Sequence, residues 1–388
     1  MNRVCSIFAQ VLQFIPRAEF AAAVRQHRAE RHARGFRCWT QLVAMLFCQL
    51  GRAQSLREIV GGLAACEGKL QHLGVALAPK RSTLAYANEH RPWQLFQSVF
   101  TALYQRCVAD ARQWGRRKFR FKHKLLSLDA TLIPLCLSMF DWAHYRRSKG
   151  AVKLHLILDH DGYLPRFAVI TDGKGSDLEV ARGLEFEPGT MLVIDRGYQD
   201  FAWWLELSRR KVFFVTRLKD NAEYGIVEPR NADGERGVLR DEVVVLTKLQ
   251  DAGPAALMRR IEVWIEDKQE SIVFFTNHLQ LAASTIAAIY KDRWQVELFF
   301  KALKQSLRIK TFVGTSANAV MIQIWTALIA MLVVKYLQLR SSFGWSLSNL
   351  IALLRHQLFV YRDLMAWLNA PFQPPEPVAI QQLPLALG

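Results

Sequence analysis

The chain has 388 residues, enough for two or three structural units with a sizeable buried core. It carries 51 Lys and Arg against 34 Asp and Glu, a formal charge of +17, which favours a polyanionic partner: nucleic acid first, an anionic membrane surface second. The six cysteines are scattered without CxxC pairs, which excludes a Cys-pair zinc site and a secreted disulfide scaffold and predicts reduced thiols in a cytoplasmic protein.

The first 75 residues predict a helical domain with a basic stripe. Arginine recurs at every third position through QHRAERHARGFR, and a step of three residues drifts slowly around a helix. Such a stripe is either a solvated helix face or a contact surface for DNA phosphates, and we interpret residues 1–75 as a DNA-binding domain. Residues 76–114 predict a helical linker region. The arginines of the stripe are Arg25, Arg28, Arg31, Arg34 and Arg37.

The segment RRKFRFKHK, residues 116–124, alternates basic residues with Phe119, Phe121 and His123. Alternation of this kind is the pattern of a β-strand. The basic face of such a strand either protects a sheet edge against aggregation or contacts phosphates. The sequence therefore predicts a strand here and leaves both roles open.

From residue 124 to residue 218 the pattern alternates strands with helices. KLLSLDATLIPL, GAVKLHLIL and YLPRFAVIT predict three strands, the last two joined as a hairpin by the turn-rich DHDG. SDLEVARGL predicts a short helix capped by Ser176 or Asp177; TMLVI predicts a buried strand, QDFAWWLELSRR a helix and KVFFVTRL a buried strand. In the first strand, one face carries Ser127, Asp129 and Thr131, opposite the leucines.

Residues 218–284 break this alternation and predict a β-rich insertion, with strands at EVVVLTKL, RRIEVWIE and SIVFFTNH. Helices dominate afterwards, beginning with one long helix over residues 284–307. Residues 336–388 predict a helical C-terminal region that ends in a loosely held, proline-rich tail.

The stretch AVMIQIWTALIAMLVVKYL, residues 319–337, is nearly long enough to span a bilayer. Gln323 and Thr326 lie within it, and a single span would be unusual in so basic a chain. The alternatives are a buried core helix and a membrane helix. We predict the buried core helix, and no membrane partner.

The helix predicted for residues 284–307 carries large polar residues on one stripe. At about 100° per residue, an arc of roughly 60° holds Tyr290, Arg293, Glu297 and Lys304. An apolar stripe lies directly alongside, so the polar residues border the core rather than oppose it. They form either a solvated face with ordinary i,i+4 charge pairs or a rigid set that reaches a cleft.

Two aspartates occupy positions that suggest a site shared with Glu297. Asp129 lies mid-strand, where an unpaired carboxylate would be costly if covered, and Asp195 directly follows the buried strand TMLVI. Each has an ordinary alternative, a hydrogen-bonded edge position for Asp129 and a helix N-cap for Asp195. Three carboxylates around one cleft require cations, and Mg²⁺ or Mn²⁺ suit oxygen ligands. A pair of such ions supports phosphoryl transfer on a phosphodiester.

These residues carry a resemblance to a known family. The Y-(2)-R-(3)-E-(6)-K signature of the IS4 family of insertion-sequence transposases is matched by Tyr290, Arg293, Glu297 and Lys304. SLDAT around Asp129 and IDRGYQD around Asp195 resemble the other two catalytic motifs of that family. The element order over residues 115–335 resembles the RNase H-like catalytic core of DDE transposases. We therefore predict an α/β (α+β) fold: an RNase H-like core with a β-rich insertion and helical N- and C-terminal regions.

The resemblance implies a function and a set of roles. The family cuts DNA at transposon ends and joins the 3′ ends to a target, commonly through a hairpin intermediate. Carried over to this chain, the resemblance implies that two Mg²⁺ or Mn²⁺ ions are held by Asp129, Asp195 and Glu297. The residues implied to contact the terminal phosphates are Tyr290, Arg293 and Lys304. The expected partners are double-stranded DNA and a second copy of the chain in a synaptic homodimer.

Other residues are weaker candidates. A flipped base could stack on Trp264 or Trp294, although tryptophans in such segments are mostly packed. Lys149, Lys153 and His155 could approach DNA, or His155 could be an ordinary strand residue with a local partner. The GKGSDLE segment lacks the histidine expected in close relatives. The competing carboxylates are Asp159, Asp161, Asp172 and Asp177.

Two rival functions stay open. One is a DNA-binding relative whose catalytic site has decayed, which the intact carboxylate set disfavours. The other is a stand-alone RNase H-like nuclease, which the signature helix and the long insertion disfavour.

Overall fold

The computed structural model arranges the described residues as helices around one large mixed sheet. It describes residues 5–31, 33–66, 68–114, 118–119, 121–135, 142, 144–146, 149–219, 222–230, 237–307 and 312–373. The chain begins with α1 Ile7–Leu12, α2 Arg17–Gln26, α3 Cys38–Gly51, α4 Leu56–Ala64, α5 Arg81–His90 and α6 Gln94–Trp114. The helical character predicted for this region is confirmed.

The basic stripe predicted along one helix is wrong. Helix α2 ends at Gln26, and Arg28 adopts the left-handed conformation at φ 49°. The backbone N–H of Ala29 then donates to the Val24 carbonyl oxygen at 3.0 Å, a closure that satisfies the helix end and turns the chain back. Of the five arginines, only Arg25 therefore lies on this helix.

The strand predicted at residues 116–124 is also wrong for the part that the structure describes. Residues 118–119 and 121–123 form bends, and residue 124 lies in an irregular segment. Their side chains are anchored one by one: the rings of Phe119 and Phe121 stack at 5.4 Å, and His123 Nδ1 lies 2.9 Å from the Gly189 carbonyl oxygen. The alternation therefore reflects individual contacts rather than a sheet edge.

The centre of the sheet has the predicted topology. Its strands are β1 Leu125–Leu135, β2 His144–Arg146, β3 Lys149–Asp159, β4 Leu164–Asp172, β5 Met191–Ile194 and β6 Phe213–Arg217. The hairpin of β3 and β4 lies antiparallel beside β1, while β5 and β6 continue parallel on its other side. The order β4-β3-β1-β5-β6 confirms the predicted RNase H-like core.

Helices cover both faces of this core. The two predicted helices are present as α7 Asp177–Arg182, capped by Ser176, and α8 Phe201–Arg209, capped by Asp200. On β1, Leu126 and Leu128 pack into one apolar cluster with Trp204 of α8. Because successive strand residues point to opposite faces, Ser127, Asp129 and Thr131 are directed to the other side, as predicted.

Four antiparallel strands extend the same sheet beyond β6. They are β7 Tyr224–Arg230, β8 Val238–Leu246, β9 Leu257–Ile265 and β10 Glu270–Thr276. Their order is β6-β10-β9-β8-β7, which gives ten strands within the described residues. The three strands predicted in this region are confirmed as β8, β9 and β10. We did not predict β7, which carries exposed Ile226 and Val227 and a proline, Pro229, typical of an edge.

The C-terminal helices include a break that the sequence did not predict. They are α9 Ala283–Asp292, α10 Trp294–Ser306, α11 Ala317–Arg340, α12 Leu347–Gln357 and α13 Leu364–Asn369. The single helix expected over residues 284–307 is thus two helices that meet at Arg293. At the junction, Arg293 N donates to Tyr290 O at 3.1 Å and Val296 N donates to Arg293 O at 3.0 Å. These i,i+3 hydrogen bonds are of the 3₁₀ type and tighten the chain locally.

Helix α11 is the central core helix. Among the described residues it is the one helix long and apolar enough to cross a membrane, yet 83% of its most apolar 18-residue window is buried in the protein. The buried Gln323 and Thr326 are satisfied internally: Gln323 Oε1 accepts from Val313 N at 2.9 Å, and Thr326 Oγ1 donates to Ile322 O at 2.9 Å. The prediction of a buried core helix is confirmed.

Candidate active site

The three carboxylates predicted from sequence meet at one guanidinium group, that of Arg293. Its Nη1 lies 3.2 Å from Asp129 Oδ2, and its Nη2 lies 2.6 Å from Glu297 Oε1. The same Nη2 lies 3.8 Å from Asp195 Oδ2. Residues that are 66 and 102 positions apart in sequence are therefore brought around a single cation.

Asp129 is held by its strand and by its own backbone neighbour. Its Oδ1 accepts a hydrogen bond from Ala130 N at 2.8 Å, and its side chain is 19% exposed. Burial, with a smaller contribution from the nearby Asp195 and Glu297, raises the pKa of Asp129 to about 6 against the lowering by Ala130 N–H and Arg293. The effect of burial on this carboxyl therefore outweighs the stabilisation that Ala130 N–H and Arg293 give to its charge.

Asp195 is the cap that was one of its alternatives in the sequence, and its other carboxylate oxygen faces the carboxylate cluster. Its Oδ1 accepts from Gly197 N at 2.9 Å and so caps the short 3₁₀ turn Arg196–Tyr198. Its Oδ2 faces Arg293, and the side chain is 41% exposed. The cap fixes the orientation of the carboxylate at the end of β5 without using both oxygens.

Glu297 lies in the first turn of α10, directly after the helix break. An acidic residue is favoured there by the partial positive charge of the helix N-terminus. It pairs with Arg293 at i,i+4, which is the ordinary alternative foreseen from sequence, but the same guanidinium also contacts the two aspartates. The pair is therefore part of the cluster rather than an isolated surface pair.

Tyr290 and Lys304 lie on either side of this cluster along the helices. The Tyr290 ring packs at 5.2 Å from that of Phe274, its centroid is 5.6 Å from the Arg293 guanidinium carbon, and burial raises its pKa. Lys304 Nζ donates to Thr131 Oγ1 at 2.5 Å. Thr131 was not predicted as a site residue, although its place on the Asp129 face of β1 is a signal that could have found it.

The donor set of the cluster suits a divalent cation. Carboxylate oxygens are the ligands that Mg²⁺ and Mn²⁺ prefer, and three carboxylates here share the single positive charge of Arg293. Within the described residues, no group of three His, Cys, Asp or Glu side chains is already arranged as a metal cage, because the guanidinium separates the carboxylates. The residues that would hold a cation are Asp129, Asp195 and Glu297.

The weaker candidates occupy several environments. Trp294 is 57% exposed beside Arg293, and Trp264 is 38% exposed on β9, so neither is packed in the core. Lys153 and His155 both approach Asp177 Oδ1, at 3.2 and 3.4 Å. The side chain of Lys149 lies outside the described residues.

Of the competing carboxylates, two are committed to a lysine. Asp159 and Asp161 both pair with Lys124, at 2.6 and 2.7 Å. Asp172 ends β4 and is exposed, and Asp177 lies in the first turn of α7, where Ser176 rather than Asp177 is the cap. None of these four carboxylates forms an ion pair with Arg293 in the described structure.

Comparison with known proteins identifies relatives of this chain. Residues 120–333 match the transposase DDE domain, and residues 4–76 match a domain of unknown function. A putative transposase of Sinorhizobium fredii is 32% identical over 75% of this chain and 80% of the relative. A probable transposase for insertion sequence element IS5377 of Geobacillus stearothermophilus is 28% identical over 66% of this chain and 67% of the relative.

One solved structure also aligns over much of the chain. It is a piggyBac transposase synaptic complex with hairpin DNA, with a TM-score of 0.42 and 9% sequence identity. The alignment covers 91% of this chain and 78% of that chain.

The sheet order, with helices packed on both faces, defines an RNase H-like protein. The chain belongs to the transposase DDE domain family, which matches more than half of it. It is accordingly a DNA transposase, an enzyme of metal-dependent DNA cleavage and strand transfer. The resemblance drawn from the sequence motifs is confirmed at this level.

Proposed function

We propose that this transposase is of the IS4 type, cuts an insertion-sequence element at its ends and joins the 3′ ends to target DNA. The observation that supports the proposal most directly is the contact of the Arg293 guanidinium with all three predicted carboxylates. One of the relatives, from Synechocystis, is a putative transposase for insertion sequence element IS4SA, 24% identical over 74% of this chain.

In this proposal Asp129, Asp195 and Glu297 are the ligands of two Mg²⁺ or Mn²⁺ ions. Bound ions of this kind activate a water or a 3′-hydroxyl and stabilise the leaving oxygen of a phosphodiester. The protein contributes rigidity, because Asp129 lies within a strand, Asp195 is fixed by its backbone cap and Glu297 lies in a helix.

The residues beside the carboxylates are proposed to bind the DNA end. Once another cation neutralises the carboxylates, the Arg293 guanidinium is free to grip a phosphate with two parallel hydrogen bonds. Lys304 adds a positive charge beside Thr131, and the Tyr290 ring borders the carboxylate cluster on the opposite side. Trp294 is the better candidate for base stacking, because it is 57% exposed and adjacent to Arg293, whereas Trp264 is 38% exposed on β9.

The wider organisation follows from the same proposal. Residues 1–75 form the N-terminal DNA-binding domain, 76–114 a helical linker, 115–335 the catalytic domain with its insertion at 218–284, and 336–388 the C-terminal region. The formal charge of +17 supports binding of double-stranded DNA, both transposon ends and target. Pairing of two ends requires a homodimer, which we place in the bacterial cytoplasm.

The decisive experiment separates binding from chemistry. Asp129→Asn, Asp195→Asn and Glu297→Gln are each assayed for binding and for Mg²⁺-dependent cleavage of a labelled transposon-end duplex. We expect binding to survive and cleavage to be lost. Asp172→Asn is the matched control, because Asp172 is an exposed carboxylate at the end of β4 that should leave cleavage unchanged.

Two results would contradict the proposal. If the three variants cleave like the parent, the site assignment is wrong. If the parent binds the duplex but does not cleave it with any divalent ion tested, the chain is a binding protein whose catalytic function has decayed.

A further inference from the structure

A second polar network lies next to the carboxylate cluster and, like it, joins strand β1 to the junction of helices α9 and α10. His160, in the turn between β3 and β4, places Nε2 2.7 Å from Ser127 Oγ and Nδ1 2.7 Å from Asp292 Oδ2. Ser127 lies on β1, and Asp292 is the last residue of α9. The imidazole therefore bridges the first strand of the sheet to the end of the helix.

The order Ser, His, Asp is that of a hydrolase triad, but the surroundings exclude nucleophilic chemistry. Ser127 has no exposed surface. The adjoining cavity, lined in part by His160 and Asp292, has a volume of about 20 Å³, close to the space of a single water. A substrate bond therefore cannot reach the hydroxyl, and the network has a structural or positioning role.

Asp292 is unfavourably placed unless its donors hold it. A carboxylate at a helix C-terminus opposes the helix dipole, and this one is only 3% exposed. Within the described residues it accepts from Lys118 Nζ at 2.6 Å and from Tyr163 OH at 3.0 Å, in addition to His160. Burial would raise the pKa of Asp292, but His160 and Lys118 outweigh it and keep this pKa below its usual value.

Tyr163, one of these donors, has a strained backbone conformation. Tyr163 adopts a left-handed backbone conformation, φ 54°, which is rare for a bulky residue and is strained. Its hydroxyl donates to Asp292 Oδ2. Strain of this kind persists where the surrounding contacts require it.

The network and the carboxylate cluster are adjacent in both elements. On β1, Ser127 precedes Asp129 by two residues, which places both on one face. At the helix junction, Asp292 immediately precedes Arg293. The strand and the junction are thus joined twice, through Ser127–His160–Asp292 and through Asp129–Arg293.

We infer that Asp292, through His160 and Ser127, is a positioning residue that holds the α9–α10 junction in place on β1. The inference rests on the proposed function, because it concerns the placement of Glu297 relative to Asp129. When a cation and DNA draw Arg293 away from Asp129, the connection through Arg293 is lost. The Asp292 network then keeps the first turn of α10, and with it Glu297, at the distance that shared ligation requires.

The test measures Mn²⁺ affinity by electron paramagnetic resonance, and cleavage at low and at saturating Mn²⁺. We expect Asp292→Asn to weaken Mn²⁺ binding by about tenfold or more. Saturating Mn²⁺ should restore most of the cleavage, and binding of the DNA end should stay near the parent. The matched control is Asp241→Asn, which breaks the buried Arg259–Asp241 pair on β8 and β9 and should destabilise the fold without changing Mn²⁺ affinity.

Ser127→Ala is the second variant, because it removes only the far end of the network. If Asp292→Asn does not fold, weaker Mn²⁺ binding by Ser127→Ala supports the inference. The inference is overturned if the variants that fold bind Mn²⁺ as tightly as the parent does. The proposed function is judged separately: if Glu297→Gln binds Mn²⁺ as tightly as the parent, the ligand assignment itself has failed.

Discussion

Lys304 donates a hydrogen bond to Thr131 Oγ1 at 2.5 Å, and Thr131 lies two residues along β1 from Asp129. The distance along a strand between such residues is about 7 Å. If the DNA backbone follows β1 past the carboxylates, as the proposed function implies, we expect it to meet the Lys304 ammonium next.

Removal of this ammonium should weaken DNA binding without abolishing it. We expect Lys304→Ala to reduce affinity for the transposon end. The plot of log affinity against log salt should become less steep by about one unit, the loss expected for one phosphate contact. Titrations at several KCl concentrations measure this slope. Lys301→Ala, an exposed lysine on the same helix, is the control. An unchanged salt slope for Lys304→Ala would argue against a phosphate contact.

Removal of the Arg293 guanidinium should make the protein more dependent on metal. Arg293→Gln leaves three carboxylates near one another without their cation, which we expect to cost roughly 1–3 kcal/mol in the metal-free protein because these partly buried carboxylates lose a charged hydrogen-bond donor. Mg²⁺ should then raise the Tm of the variant more than that of the parent. Thermal unfolding with and without Mg²⁺ provides the comparison; an equal or smaller Mg²⁺ effect in the variant would contradict it.

The raised pKa of Asp129 should appear in the pH dependence of stability. Because the folded pKa is about 6 and the ordinary value is 3.8, the folded state holds the proton more tightly than the unfolded state. This contribution is fully present below about pH 4 and is lost as pH rises through 6, on the order of 2–3 kcal/mol in total.

Urea unfolding between pH 4 and pH 7, without metal, measures this contribution. Asp129→Asn cannot titrate, so the difference in free energy of unfolding between the parent and the variant should change over this range and level off above it. A constant difference would show that Asp129 has an ordinary pKa.

Helix α11 should be the most sensitive helix to truncation of an apolar side chain. Leu328 has no exposed surface, and Leu328→Ala should cost about 2–5 kcal/mol, the usual range for a buried leucine. Leu298, 40% exposed on α10, is the matched control, and its replacement by alanine should cost far less. Chemical denaturation measures both; similar losses would mean that α11 is not a core helix.

The parts of the fold that sequence predicted are those with strong periodicity. Asp129 and Asp195 were found because each interrupts or follows an apolar strand, and the strand order then brought them together as expected. The break at Arg293 was missed because the residues on both sides continue a helical pattern, with no glycine or proline to mark it.

The other misses have local causes. Arg28 continues a regular arginine spacing, but its left-handed conformation ends the helix, and spacing alone does not report that. His160 lies in a turn and Asp292 at a helix end, where polar residues are common, so their shared contact became visible only in three dimensions.

One face of β1 carries Ser127, Asp129 and Thr131 at every second position, and each contacts a different point of helices α9 and α10. Ser127 reaches Asp292 through His160, Asp129 pairs with Arg293, and Thr131 accepts from Lys304. Insertion or deletion of one residue at the start of β1, before Ser127, would turn all three side chains toward the apolar layer around Trp204. A substitution of Ser127, Asp129 or Thr131 removes one of these contacts, whereas a change of length by one residue ahead of them should remove all three.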